Sequence, residues 1–152
     1  MIDAELSLGE SDFTGLPAGN SAVAWDGVSA NAINMGPGQF GATALYLVMQ
    51  VVDAFTIGAG IDAIWFSLAS RATLTLPGTT PEDWTPHVQT RFYTAAELAA
   101  GNWLDPLLVP PTAARFLSYL ASASAAITAG SIRAYFTREY PFPYGMQLIP
   151  TP

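Results

Sequence analysis

The sequence of 152 residues contains no cysteine, no lysine and a single histidine. Without a thiolate, the chain cannot form a disulfide, a zinc finger, an iron–sulfur site or a cysteine nucleophile. Its five basic residues are all arginine and face twelve acidic residues, so the formal net charge is −7. Nucleic acids and anionic membranes both attract clustered basic residues. The composition therefore predicts no nucleic-acid partner and no membrane partner.

Charged residues of either sign are also scarce. They make up 11% of the chain, whereas a typical globular domain is about one-quarter charged. Apolar residues make up 51% and include eight Phe, six Tyr and four Trp, which excludes general disorder. A surface with so few ionised groups would expose larger apolar patches than a soluble monomer tolerates. We therefore expect part of the surface to be buried against other chains.

No segment has the length of a membrane anchor. The longest apolar stretch, residues 44–52, contains Gln50 and ends at Asp53, far short of the roughly 20 residues that a spanning helix needs. The acidic start of the sequence also lacks the basic residues and apolar run of a secretion signal. The length fits one domain over residues 1–152.

Period-two alternation of apolar residues is the main structural signal. In residues 44–52, Leu45, Leu47 and Met49 share one face, and comparable alternation recurs in residues 61–69 and 131–138. Such runs between Gly- and Pro-rich turns predict strands of an antiparallel sandwich or barrel. Shorter strands are predicted at residues 22–25, 30–35, 73–76, 87–93 and 107–109.

Residues 113–130 allow two interpretations. Phe116, Leu120 and Ile127 would lie along one stripe of a helix, whereas residues 115–122 alone would form a strand. No N-cap pattern stands at Thr112, and Ser and Thr interrupt the proposed helix. The residues therefore favour the strand and leave the helix open.

The two ends of the chain differ from the middle. Residues 1–21 are small and polar and predict an N-terminal arm, whereas residues 140–152 carry four prolines and predict an extended tail. The strand-forming core then covers residues 22–139. Between its strands, Thr94 and Glu97 have the spacing of a capping box, which predicts one or two helical turns that end at Gly101.

No motif supports catalysis. Gly36, Gly38 and Gly41 match a dinucleotide fingerprint, but a strand rather than a helix is predicted after them. His87 is the only imidazole; Asp83 and Asp105 could complete a triad with a serine, but no nucleophile-elbow pattern occurs.

Acidic pairs do not change that conclusion. Glu82 with Asp83, and Asp53 with Asp62, have no spacing typical of glycosidases or calcium loops. We therefore predict a protein that is not an enzyme and holds no cofactor or metal.

Aromatic residues outside the predicted core strands are the candidate interaction residues. Trp and Tyr often anchor protein interfaces, and exposed rings can also stack on sugars. A carbohydrate-binding module is therefore the alternative function. The candidate interface residues are Trp84, Trp103, Tyr140, Phe142 and Tyr144.

The order of several segments resembles the capsid cement (decoration) proteins of tailed bacteriophages. A Thr-Ala-Gly turn that leads into the last strand is part of that pattern and is found at residues 128–130. The resemblance covers residues 20–138, although the loop with Trp84 and the tail after Glu139 are longer than the family pattern. The segments are residues 28–36 (VSANAINMG), 44–51 (ALYLVMQV), 55–56 (FT), 93–101 (YTAAELAAG), 107–111 (LLVPP), 115–119 (RFLSY) and 127–132 (ITAGSI).

The resemblance implies an all-β, antiparallel jelly-roll β-sandwich with the arm and the tail as extensions. It implies a structural protein on the outer surface of the virion that binds the major capsid protein and itself, as a homo-dimer or homo-trimer, and stabilises contacts between capsomers. It also implies that residues 115–122 form a strand and that residues 124–129 form the following turn.

Overall fold

Two antiparallel β-sheets form the molecule. The computed structural model describes residues 7–24, 31–35, 44–73 and 78–138. Two short 3-10 turns, Pro81–Asp83 and Ala95–Glu97, are the helical elements within these ranges. The strands are β1 (Ser7–Asp12), β2 (Ser21–Val23), β3 (Ile33–Asn34), β4 (Tyr46–Ile57), β5 (Ile64–Arg71), β6 (Thr85–Gln89), β7 (Leu107–Leu108), β8 (Phe116–Ala123) and β9 (Ile127–Thr137).

Most neighbouring strands in each sheet are distant in the sequence. The first sheet has the order β1-β9-β4-β7, and the second has the order β2-β8-β5-β6, with β3 also paired to β8. All pairings are antiparallel. The sequence prediction of an antiparallel sandwich is confirmed at this level.

The core lies between the two sheets and follows the alternation of the strands. Leu47 and Met49 of β4 are fully buried, as are Ile64, Phe66 and Leu68 of β5. Side chains of a strand point alternately to its two faces, so these residues share the inner face of each sheet. Phe66 contacts three other aromatic rings, those of Phe13, Phe55 and Tyr119.

The ambiguous segment after Thr112 is a strand. Residues 116–123 form β8, which pairs with β5 from Ile64↔Ala123 to Arg71↔Phe116. The following turn is tighter than the resemblance implied, because β9 begins at Ile127 rather than after residue 129. The last strand predicted at residues 131–138 is confirmed and extends further towards the N-terminus.

The expected N-terminal arm is wrong for residues 7–21. Residues 7–12 form β1 and pair with β9, with a bulge at Gly9. Leu8, Phe13 and Leu16 are buried and pack in the core. The Gly9 bulge breaks the alternation that would have revealed the strand. The loop predicted at residues 36–41 lies outside the described residues, as do residues 1–6 and 74–77.

The capping box is confirmed. The Glu97 carboxylate accepts a hydrogen bond from Thr94 N at 2.8 Å, and Glu97 N donates to Thr94 Oγ1 at 3.4 Å. These bonds start the turn Ala95–Glu97. Asp62 Oδ1 also accepts a hydrogen bond from Ala95 N at 2.8 Å, which ties the turn to the β4–β5 connection.

Candidate interaction surface

Trp84 does not protrude, so its prediction as an exposed interface residue is wrong. Its side chain is 3% exposed, and its indole Nε1 donates a hydrogen bond to Gly78 O at 2.9 Å. It packs on Val23, Ala69 and Leu120. The neighbours Leu68 and Tyr119 face the core, so Ala69 and Leu120 face outward. Trp84 therefore covers part of the outer face of the second sheet.

Trp103 lies on the first sheet and is half-buried. It forms an isolated antiparallel bridge with Gln50, and its ring stands perpendicular to that of Tyr135 with the centroids 6.4 Å apart. Its partial exposure keeps it as a candidate contact residue. The other candidates, Tyr140, Phe142 and Tyr144, lie outside the described residues.

Four large apolar side chains of the described residues are exposed, and three of them lie in or directly after the edge strands β6 and β7. They are Ile61 (73% exposed), Phe92 (58%), Leu108 (50%) and Val88 (37%). Val88 belongs to β6, Leu108 belongs to β7, and Phe92 follows β6. Ile61 lies in the β4–β5 connection, close in sequence to the Ile64↔Tyr93 bridge. We call these four residues the β6–β7 apolar edge.

The outer backbone edges of β6 and β7 are unpaired within the described residues. β6 and β7 are the terminal strands of their sheets, and they lie against each other. Within the described part of the chain, β6 pairs only with β5, and β7 only with β4. Unpaired strand edges invite contact with another chain, and Pro86 on β6 limits indiscriminate pairing because it has no N–H.

The charges beside the edge are neutralised within the chain. Arg91 lies 3.3 Å from Glu97 and 3.6 Å from Asp105, and its guanidinium lies 4.4 Å from the centre of the Tyr93 ring. Burial raises the pKa of Tyr93 to about 12, so its hydroxyl stays neutral and accepts a hydrogen bond from Asp105 N. Phe92 therefore stands next to a paired ionic cluster, not a free charge.

Sequence reasoning missed this edge. Phe92 stands between the buried residues Thr90 and Tyr93. At the end of a strand, the alternation of residues alone does not predict whether a side chain faces the core or the solvent. The low number of charged residues was the one sequence feature that predicted exposed apolar surface, but it does not indicate where on the molecule that surface lies.

Ser70 and His87 form the one pair that resembles catalytic chemistry among the described residues. Ser70 Oγ lies 2.6 Å from His87 Nε2. However, Ser70 is 2% exposed, and its oxygen also accepts a hydrogen bond from Ala114 N at 2.9 Å. No carboxylate of the described residues bonds the imidazole, and burial lowers the pKa of His87. The pair joins β5, β6 and the β7–β8 connection, and the buried hydroxyl has no access for a substrate.

The acidic residues considered from the sequence are dispersed. Asp53 accepts a hydrogen bond from Ser131 Oγ at 2.7 Å, whereas Asp62 caps the turn after Thr94. Glu82 and Asp83 lie exposed in the turn before Trp84, and Asp83 lies 4.0 Å from Arg71. The described residues contain no group of three or more potential metal ligands.

No family model matches the chain, and no curated protein matches it. None of the helical segments in the described residues has the length and apolar character needed to span a membrane.

Proposed function

We propose that this protein is a virion structural protein of the capsid cement type, which binds the outer face of a shell of major capsid protein and stabilises contacts between capsomers. The observation that carries the proposal is the β6–β7 apolar edge. A chain with 17 charged residues keeps Ile61 and Phe92 more than half exposed. Such a surface is typical of proteins that work in contact with others.

The strand order supports a jelly roll, the sandwich type expected from the resemblance. If β2 and β3, which both pair with β8, are counted as one unit, the sandwich has eight units. Their order is then 1-8-3-6 in one sheet and 2-7-4-5 in the other. Two four-unit sheets with this strand order are what two Greek keys produce in a jelly roll. The resemblance to cement proteins and the topology thus agree.

The energetics suit repeated contacts on a lattice. Burying apolar surface contributes about 25 cal/mol per Å², so each edge supplies a modest gross driving force. Copies arranged on one shell contact it many times, and a second contact in one assembly forms at high effective concentration. Many weak apolar contacts can therefore reinforce a shell without a tight single site.

The test is co-sedimentation of the purified protein with capsid shells that lack it. We expect the wild type to bind, and the Phe92→Asp/Leu108→Asp variant to bind at least about tenfold more weakly, since each substitution puts a charge into a dry contact. The matched control is Thr14→Asp/Ala18→Asp, which adds the same charge at exposed positions of the β1–β2 loop. Circular dichroism verifies that both variants fold.

Two results would contradict the proposal. One is a wild-type protein that stays in the supernatant and is a monomer at high concentration. The other is equal loss of binding in the edge variant and in the loop control, because general acidity rather than the edge would then govern association.

A further inference from the structure

A cleft of about 590 Å³ opens on the outer face of the second sheet, away from the core. The β1–β2 loop and the start of β2 form one wall, and the segment before and within β6 forms the other. Leu120 of β8 lies between the walls. The described residues that line the cleft are Gly19, Asn20, Ser21, Pro81, Glu82, Trp84, Pro86 and Leu120. Its volume is in the range of small-ligand sites.

Two planar polar side chains line opposite walls of this cleft and form no hydrogen bond with the described residues. Asn20 and Glu82 are both exposed, and neither side chain bonds another residue that the structure describes. An amide offers two donors and an acceptor, and an ionised carboxylate offers acceptors only. Ser21 adds a hydroxyl that lies 2.6 Å from the Ser122 hydroxyl.

The remaining lining is apolar and fixed in place. Trp84 is held by its bond to Gly78 O and by the Arg71 guanidinium, 5.9 Å from the ring centre. Pro81, Pro86 and Leu120 add carbon surface with no donor of their own. The cleft thus combines apolar surface with a few polar groups, as small-molecule sites do.

We propose that this cleft binds a neutral carbohydrate unit. Vicinal hydroxyls of a pyranose can donate to the Glu82 carboxylate and both donate to and accept from the Asn20 amide, while the C–H face of the ring packs on Pro81 and Pro86. This binding differs from the stacking on an exposed Trp84 considered from the sequence. It goes beyond the proposed shell contact, and Phe92 and Leu108 are not part of the lining.

The charges select against other ligand classes. Glu82 is the one ionised group among the described lining residues, so phosphates and acidic sugars would meet repulsion. The nearby Arg71 is directed to the Trp84 ring and lies 4.0 Å from Asp83, which leaves the acidic charge of Glu82 unopposed in the cleft. A wholly apolar ligand would leave Asn20 and Glu82 without partners, which is costly for polar groups.

The test is an NMR titration of the full chain with methyl glycosides of glucose, mannose and galactose and with N-acetylglucosamine. Each is added to about 50 mM, which detects dissociation constants in the millimolar range. We expect at least one of them to shift the Trp84 indole Nε1–H, the Asn20 side-chain amide and the Ser21 backbone amide together. The same sugar should bind about tenfold more weakly to Asn20→Ala and to Glu82→Gln.

The matched control is Asp83→Asn, which makes the same charge change at the next position but outside the lining. Its affinity should equal that of the wild type. The proposal is overturned if no sugar shifts these signals, or if Asp83→Asn weakens binding as much as Glu82→Gln. It is also overturned if the shifts centre on Trp103 or on the exposed Phe92 and the Trp65 ring of β5 that it contacts. Because the titration uses the free protein, its failure would leave the shell contact untouched.

Discussion

Gly130 lies at a position where the fold leaves no room for a side chain. Its φ of +152° lies in the region that side chains rarely adopt, and a Cβ atom there would lie 2.5 Å from Cδ1 of the buried Phe55 ring. The Gly130 carbonyl also accepts a hydrogen bond from Phe13 N at 2.9 Å. The Thr-Ala-Gly turn noted in the sequence therefore has a structural reason: only glycine lets the start of β9 pass under Phe55.

We expect Gly130→Ala to lower the free energy of unfolding by about 3 kcal/mol, since backbone strain and overpacking act together. Urea denaturation measures this loss. Gly58→Ala is the control, because a Cβ there meets nothing closer than 3.8 Å and no unusual φ applies; its effect should stay within about 0.5 kcal/mol. Equal effects of the two substitutions would refute the packing argument.

His87 makes stability depend on pH. Burial lowers its pKa below the ordinary value of 6.5, so the unfolded chain takes up a proton at a higher pH than the folded chain. The free energy of unfolding therefore falls as pH drops below 6.5, and the contribution is fully present above that value. His87→Gln removes this titration, so we expect the variant to lose less stability than the wild type between pH 7.5 and 5.5. Urea titrations at the two pH values measure the free energy of unfolding. Equal losses in the variant and the wild type would contradict the assignment of this pH dependence to His87.

At the scale of elements, the turn after Thr94 depends on its capping box. Removing the Thr94 hydroxyl leaves Glu97 N with its backbone bond to Thr94 O alone, at 3.1 Å, and we expect Thr94→Ala to cost about 1 kcal/mol of unfolding free energy. Thr14→Ala, at an exposed threonine whose side chain accepts no cap bond, should change it by less than about 0.5 kcal/mol. Thermal unfolding of both variants provides the comparison, and a neutral Thr94→Ala would show that the turn is held by its neighbours alone.

The alternation of apolar and polar residues predicted the long strands, because the apolar positions of these strands are the buried ones. β4, β5 and β9 carry their apolar residues on the inner face, and those residues are the core. β1 escaped prediction because Gly9 shifts its register, so Leu8 stands alone as an apolar signal. Short elements such as β3 owe their strand form to pairing with β8, and long-range pairing of this kind leaves little local pattern.

The exposure of the aromatic side chains could not be predicted from the sequence. Trp84 stands among Gly, Thr and Pro, a context typical of an exposed loop, yet the loop folds back over Val23 and Leu120 and buries the ring. Phe92, which is exposed, follows a strand and would be assigned to the core by composition. Whether an aromatic side chain is buried depends on how strands distant in the sequence pack together, and the local sequence pattern does not predict that packing.

At the scale of the whole molecule, four of the five arginines interact with other residues of the chain. Arg71, Arg91 and Arg133 each form an ion pair with an acidic residue, and Arg115 donates to Asn34 Oδ1 at 2.7 Å. Exposed ion pairs stabilise little, but they leave few free positive charges to oppose the net charge of −7. An acidic chain that exposes the β6–β7 apolar edge favours a partner that buries that edge.

The most direct test of this account is hydrogen exchange by mass spectrometry on the protein alone and bound to capsid shells. The account predicts slower exchange on binding in the peptides that cover residues 85–92 and 107–108, and unchanged exchange in residues 14–20. Bound protein whose β6 and β7 peptides exchange as fast as in the free protein would contradict it, because the apolar edge would then remain in water on the shell.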